Sequence, residues 1–278
     1  MSRTGRERGV LDARGRDPEV LDAGRPDGDA WGTDPYANAL RNGHGPLFLR
    51  RTDGWLLPLD VERWCAGADA ADLSALRRCE GPVLDIGCGP GRLVTALAAR
   101  GHRALGIDVS AAAVARTVRL GGHALRRSVF DPLPGEGRWG TVLLADGNLG
   151  IGGDPGRLLG RAADLLAPGG LLIAETVPHA VDERVQVRLD DGSPPAGPAS
   201  AGLFPWARLG SQALLGYARP HGLRAVDQWE ADGRTFVSLR RARSVRTTHQ
   251  SAESTKSAAV ISSQFPRNTS GESPLAGS

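Results

Sequence analysis

Apolar and polar positions in the middle of the chain alternate between two periods. Val83–Ile86 is an apolar run broken only by Asp85 and reads as a buried strand; in Arg92–Arg100, Leu93 and Leu97 share one helical face. Ala104–Ile107 reads as a second strand, and Ser110 offers an N-cap for an Ala-rich helix running to Leu120. Ala124–Phe130 and Thr141–Ala145 fit a third and a fourth strand. Asp154 then caps a helix with Pro155 at its first position, and Leu158, Ala162, Leu165 and Leu166 fall on one side of it. Pro168-Gly169-Gly170 is expected to end that helix, with Leu171–Ala174 as the fifth strand. Strands alternating with helices predict an α/β fold with a mostly parallel sheet covered on both faces.

The flanks follow other patterns. Asp60–Arg78 reads as one or two helices, preceded by an irregular, aromatic-bearing lead over Trp31–Trp55. After the fifth strand, Glu183–Leu189 alternates like an exposed strand, residues 193–200 read as a loop, and Phe204–Arg219 is expected to be helical after Pro205. Leu223–Glu230 and Thr235–Leu239 predict a closing antiparallel hairpin around Asp232-Gly233. Residues 1–30 are rich in Gly, Arg and Asp, and residues 244–278 in Ser and Thr; neither can bury enough surface to offset its ordering entropy, so both are expected to be disordered. That leaves one domain over residues 31–243: a cap (31–79), a core (80–177) and a closing part (178–243).

Charge excludes more than it implies. The net charge is +3, and of 34 basic residues only Lys256 is not Arg. Acids are interspersed throughout, so no one-sign block calls for a polyanionic partner and nucleic acid is not expected. Cys65, Cys79 and Cys88 are odd in number and lack a C-x-x-C pair, which argues against a disulfide framework or a zinc site. No apolar run approaches the roughly 18 residues of a membrane span, and the N-terminus lacks a signal-peptide pattern, so a cytoplasmic protein is expected.

The chemistry concentrates where the first strand meets the first helix. Gly87, Gly89 and Gly91 leave the backbone bare there, beside helix N–H groups. A tight strand–helix turn explains glycines by itself. A dinucleotide fingerprint would place its third glycine one residue later, where Arg92 stands.

With Asp85-Ile86-Gly87-Cys88-Gly89-Pro90-Gly91, the chain resembles the class I S-adenosylmethionine-dependent methyltransferases, whose motif is D/E-x-G-x-G-x-G. Asp108 ends the second strand, Phe130-Asp131 follows the third, and residues 165–175 resemble the family's helix, turn and fifth strand. The resemblance covers roughly residues 80–177. It implies a Rossmann-like, doubly wound sheet of about seven strands, mostly parallel with an antiparallel last strand, and S-adenosyl-L-methionine as cofactor. It further implies that Asp85, Gly87, Cys88, Gly89 and Gly91 hold the methionine end; Asp146 reads either as a contact to the ammonium or as an acceptor-side polar group. Asp108 and Val109 fall to the ribose, and Phe130 and Asp131 to the adenine. An acid at Asp85 suits an ammonium and would be misplaced beside a pyrophosphate. Cys88 reads as a packing residue within the motif.

The acceptor side is expected at Ala145–Asp154, where the family's amino-methylating N/D-P-P-Y motif is replaced by Asp146-Gly147-Asn148-Leu149. Asn148 is the candidate acceptor-side group and His179 the candidate general base, although a loop histidine without a role is the simpler reading. Tyr36 and Trp206 are candidates for pocket walls or core packing. The implied activity is methylation of a small molecule. A non-catalytic binding module, or an RNA or protein methyltransferase using Arg240, Arg241, Arg243 and Arg246, are the alternatives, with a nicotinamide enzyme behind them.

Overall fold

The computed structural model describes residue 31 and residues 34–194 and 202–243; the expectations for 1–30 and 244–278 lie outside the described residues. In chain order the elements are α1 (Asp34–Asn42), β1 (Phe48–Arg51), β2 (Leu56–Pro58), α2 (Val61–Cys65), α3 (Ala70–Leu76) and β3 (Val83–Ile86). Then come α4 (Arg92–Ala98), β4 (Ala104–Asp108), α5 (Ala111–Arg119), β5 (Ala124–Arg126) and β6 (Trp139–Leu144). A 3₁₀ segment at Asn148–Gly153 leads to α6 (Pro155–Leu165), β7 (Leu166–Thr176), β8 (Asp182–Asp190), β9 (Phe204–Leu209), α7 (Ser211–Ala218), β10 (Leu223–Ala231) and β11 (Arg234–Arg241).

Seven strands form the main sheet in the order β10-β11-β7-β6-β3-β4-β5. β3 pairs in parallel with both β4 and β6, β4 with β5, and β6 with β7. β11 runs antiparallel to β7, and β10 to β11. The chain leaves β3 toward β4 and later returns to its other side at β6, so the order reverses at β3, and the crevice outside those strand ends is where such sheets take ligands. Alternate residues of the central strands feed two cores. Leu84, Ile86, Val142 and Leu144 pack with Leu158 and Ala162 of α6, whereas Val83, Leu143 and Ile173 pack with Ala71 and Leu76 of α3 and with Phe236. The expected caps form: Ser110 accepts from the Ala113 N–H, and Asp154 from the Arg157 N–H ahead of Pro155.

Four sequence readings need correction. Phe204–Leu209 is a strand, not the start of a helix; Pro205 sits on β9, which pairs only with β8 at the edge of a second sheet. Phe204, Trp206, Ala207 and Leu209 are buried, and the helix begins only after Gly210. That second sheet, β2-β1-β8-β9, is antiparallel throughout; of its strands only β8 answers to a sequence expectation, the exposed strand over Glu183–Leu189. The irregular lead over Trp31–Trp55 contains α1 and β1. The third strand stops at Arg126, and β7 begins at Leu166, running through Pro168-Gly169-Gly170 with a register shift against β6. Local propensity cannot see either effect, because both depend on which neighbouring strand offers hydrogen bonds. Among the described residues no helix is long and apolar enough to cross a membrane.

Candidate functional site

One cavity of about 1100 Å³, counting its open mouth, lies over the carboxyl ends of β3, β4 and β6. Its floor is the turn after β3. Gly87, Gly89 and Gly91 all have positive φ, at 70°, 53° and 92°. A Cβ on Gly87 would sit 2.6–2.8 Å from the Asn148 amide, and one on Gly91 the same distance from the Thr117 side chain. These two positions therefore exclude any side chain twice over, by strain and by collision.

The turn spends its own donors. The Gly87 and Cys88 N–H groups both donate to the Ile107 carbonyl, at 2.9 and 3.0 Å, and the Gly91 N–H donates to the Cys88 carbonyl at 3.1 Å. The Gly89 N–H donates to Asp108 Oδ2 at 2.9 Å. With these four N–H groups committed inside the protein and Pro90 lacking one, the turn offers no nest for a phosphate. That geometry weighs against a pyrophosphate ligand, as the glycine spacing does.

Three carboxylates line the cavity instead: Asp85, Asp108 and Asp146. Asp85 Oδ2 is buried without a hydrogen-bond partner. Burial, with Asp146 and Asp108 adding repulsion, pushes its carboxyl up to about 8. Asp108 is also raised by burial, to about 6, although the Ser110 and Gly89 N–H groups oppose the shift. Asp146 is held differently. Its φ is 55°, a conformation costly for any residue but Gly. Its N–H donates to Glu175 at 2.8 Å, and its carboxylate meets Arg92 at 2.6 Å, Arg63 at 3.0 Å and Arg234 at 3.4 Å. Arg234 also reaches Glu175 and Asp72, each at 2.8 Å, and Asp69 at 3.3 Å, while Arg92 contacts Asp72 as well. Burial raises the Glu175 carboxyl, but the hydrogen bond and charge of Arg234 outweigh it and leave the group below its usual range.

The structure brings most of the expected site residues together. Asp85, Gly87, Cys88, Gly89, Asp108, Val109, Phe130, Asp146 and Asn148 all line the cavity. Gly91 stands just behind it as the N-cap of α4. Asp131 is not in the lining; its carboxylate accepts from the Ser128 N–H at 3.2 Å, and Ser128 takes the place in the wall. His179 is exposed beyond the end of β7 and also absent from the lining. Asn148 donates from its amide nitrogen to the carbonyls of Ile86 and Gly87, at 2.8 and 2.9 Å, and so ties the glycine turn to the acceptor-side segment. Cys88 is buried, and burial pushes its thiol well up, which suits packing rather than nucleophilic attack.

Sequence reasoning missed Arg92, Trp31 and Trp64. Trp64 Nε1 is buried and unpartnered in the cavity wall, and so is Arg92 Nε. Arg92 was legible only as the residue that breaks the dinucleotide spacing. Of the arginines after β10, Arg240 pairs with Glu80 through both nitrogens at 2.8 and 2.9 Å, and Arg241 donates to the Leu166 carbonyl. They tie the last strand down; Arg246 lies outside the described residues.

The sequence profile described as "Methyltransferase domain" matches residues 62–244. This chain belongs to that family. The fold agrees: a S-adenosylmethionine-dependent methyltransferase from Bacteroides fragilis, solved with S-adenosyl-L-homocysteine, superposes with a TM-score of 0.59 at 20% identity, over 78% of this chain and 94% of that one. Magnesium protoporphyrin IX methyltransferase from Synechocystis PCC 6803, solved with its cofactor, gives 0.52 at 15% identity, over 80% of this chain and 100% of that one. No curated protein sequence matches the chain. Within this methyltransferase, the seven-stranded sheet with its antiparallel final strands is the class I arrangement expected from the motif.

Proposed function

We propose that the protein methylates a small molecule with S-adenosyl-L-methionine. The observation that carries this is the set of buried polar atoms left without partners in the cavity wall. It holds one acceptor, Asp85 Oδ2, and donors on Trp64 and Arg92. An α-amino acid end fits that set, its ammonium against Asp85 and its carboxylate toward Trp64 Nε1, because each buried orphan costs about 1–3 kcal/mol until paired. Asp108 has lone pairs left for two ribose hydroxyls after accepting from Gly89 and Ser110. Val109, Ser128, Val129 and Phe130 supply an apolar slot for the adenine ring, with Ser128 in place of the expected Asp131 as its polar group.

When bound, the cofactor supplies a sulfonium methyl, an electrophile with a good leaving group. The chain's own part is alignment and exclusion of water. The glycine turn, fixed by Asn148, Thr117 and Asp108, sets the height of the methionine end. Among the described residues no histidine lines the cavity; Asp146 is bound to arginines and Tyr36 is held protonated by burial, so these residues offer no general base. His179 keeps a role only if it is brought to the acceptor from outside the wall. Incubation with methyl-labelled cofactor and a small-molecule extract should transfer label to low-molecular-weight material; tight cofactor binding without any transfer would instead favour the binding-module reading.

The Asp85 shift gives binding a pH signature. At pH 7 a group pushed to about 8 is mostly protonated and must ionise to meet an ammonium, so binding should release close to one proton. Affinity should rise toward pH 8 and fall above it, as the ligand's own α-amino group, near 7.7–8.0, deprotonates. In the free protein the raised pKa acts in the other direction: its stabilising contribution is complete below about pH 4 and is lost as pH rises through about 8. Calorimetry in buffers of different ionisation enthalpy measures the release, which should vanish in Asp85→Asn.

Asn148→Ala leaves two carbonyls of the turn unpaired and should weaken cofactor binding by about 1–3 kcal/mol, with turnover falling alongside. A loss of turnover at unchanged cofactor affinity would assign Asn148 to the acceptor alone.

A further inference from the structure

The same cavity is also lined by Trp31, Leu59, Ile151, Phe204, Pro205 and Trp206. None of these six side chains carries a charge or a titratable proton. Of the chain's six Trp, two Tyr and five Phe residues, Trp31, Tyr36, Trp64, Phe130, Phe204 and Trp206 all line this one cavity. Their rings are arranged for aromatic contact. Trp31 stands 5.1 Å from Tyr36 with ring planes at 85°, 5.7 Å from Phe204 at 61° and 5.5 Å from Trp206 at 46°. Phe204 and Trp206 meet edge to face at 6.2 Å.

The rings come from separate parts of the chain. Trp31 precedes α1, and Phe204 and Trp206 stand on β9 of the second sheet. β9 is held against the 3₁₀ segment because Gly150 and Gly153 have no side chains: a Cβ on Gly150 would lie 2.3 Å from the Trp206 indole, and one on Gly153 2.5 Å from Pro205. The second sheet thus lays two aromatic walls directly over the acceptor-side segment.

Resting on the methyltransferase reading, we infer that the acceptor is an uncharged, planar aromatic or heteroaromatic molecule that lies against the cluster of Trp31, Phe204 and Trp206. A charged acceptor would meet no counter-ion on these six side chains and would lose its hydration there. A cationic one would also face the sulfonium of the bound cofactor, and a protonated amine has no lone pair to give. Aromatic walls in tilted and edge-on settings favour a flat ring over a saturated one of the same size. The transfer then balances simply. An acceptor lone pair forms the bond to the methyl carbon while the sulfur–methyl bond breaks, its electron pair remaining on sulfur. A ring or amino nitrogen, or an acidic hydroxyl, loses any proton to solvent, consistent with a lining that holds no histidine among the described residues.

The test uses the full chain saturated with S-adenosylhomocysteine, whose own binding is measured first; failure at that step would refute the cofactor reading and not this one. Calorimetry then compares 2-naphthol, its fully saturated counterpart decahydro-2-naphthol, and choline. The flat ring should bind at least about fivefold tighter than the saturated one, with choline unbound. Trp31→Leu and, separately, Trp206→Leu should reduce that preference to about twofold or less while leaving S-adenosylhomocysteine affinity in place. Trp31 is only half-buried, so it serves if Trp206→Leu fails to fold. Equal affinity for the two rings, preference for the saturated ring or for choline, or no binding of either ring overturns the inference.

Discussion

Arg234→Met should destabilise the protein by about 3–5 kcal/mol, the cost of leaving a buried charge cluster without one partner. Arg234 alone reaches Asp69, Asp72, Asp146 and Glu175, and Asp72 is only 1% exposed at its side chain. Removing it leaves Arg92 and Arg63 as the remaining arginines in contact with these acids. For a domain of this size the loss corresponds to a fall in Tm of roughly 6–20 °C. The same variant releases the clamp that keeps Asp146 at a φ of 55°, so cofactor affinity should drop in whatever fraction remains folded. Thermal and urea unfolding measure the first effect; a change below about 1 kcal/mol would mean the cluster contributes little beyond its own desolvation cost. Arg234→Lys keeps the charge but not the fork that spans two carboxylates, and it should fall between.

Asp108→Ala is expected to have the largest effect on the ligand. The carboxylate joins three things: the Gly89 N–H at 2.9 Å, the Ser110 N–H at 2.8 Å and the open cavity. Its loss removes two charge-assisted bonds to a ribose and at the same time frees the glycine turn. At about 1.5–3 kcal/mol for each charged hydrogen bond, S-adenosylhomocysteine should bind at least about a hundredfold more weakly. Asp131→Ala, one strand away and outside the lining, should change affinity by less than about threefold. Comparable losses in the two variants would return Asp131 to the adenine site.

The contrast between those two acids shows what the sequence can carry. Val83–Ile86, Ala104–Asp108 and the caps at Ser110 and Asp154 were legible because each is set by local pattern and by side chains that bond within a few residues. Asp85 and Asp108 were legible through the resemblance, Asp85 as the first residue of the motif and Asp108 as the acid that ends the second strand. Asp131 stands outside the lining for a physical reason: β5 stops at Arg126, so the wall position passes to Ser128 while Asp131 accepts from the Ser128 N–H. Of the second sheet only β8 was legible, as the alternating run Glu183–Leu189. β1 pairs with β8 across more than a hundred residues of chain, and no local signal in Phe204–Leu209 shows that Pro205 will sit on an edge. The aromatic cluster was hidden for that reason, since Trp31, Phe204 and Trp206 meet only once β9 is in place. Arg92 was visible as a departure from the dinucleotide pattern. Its partners Asp72 and Asp146 could not be read, because they approach it from α3 and from beyond β6.

Calorimetric titration of the full chain with S-adenosylmethionine, S-adenosylhomocysteine and NAD, at pH 7 in two buffers, tests the central claim most directly. The two sulfur ligands should bind with release of close to one proton that disappears in Asp85→Asn, and NAD should not bind, since the glycine turn has no N–H groups left for its phosphates. Binding of NAD with no response to either sulfur ligand would contradict the account.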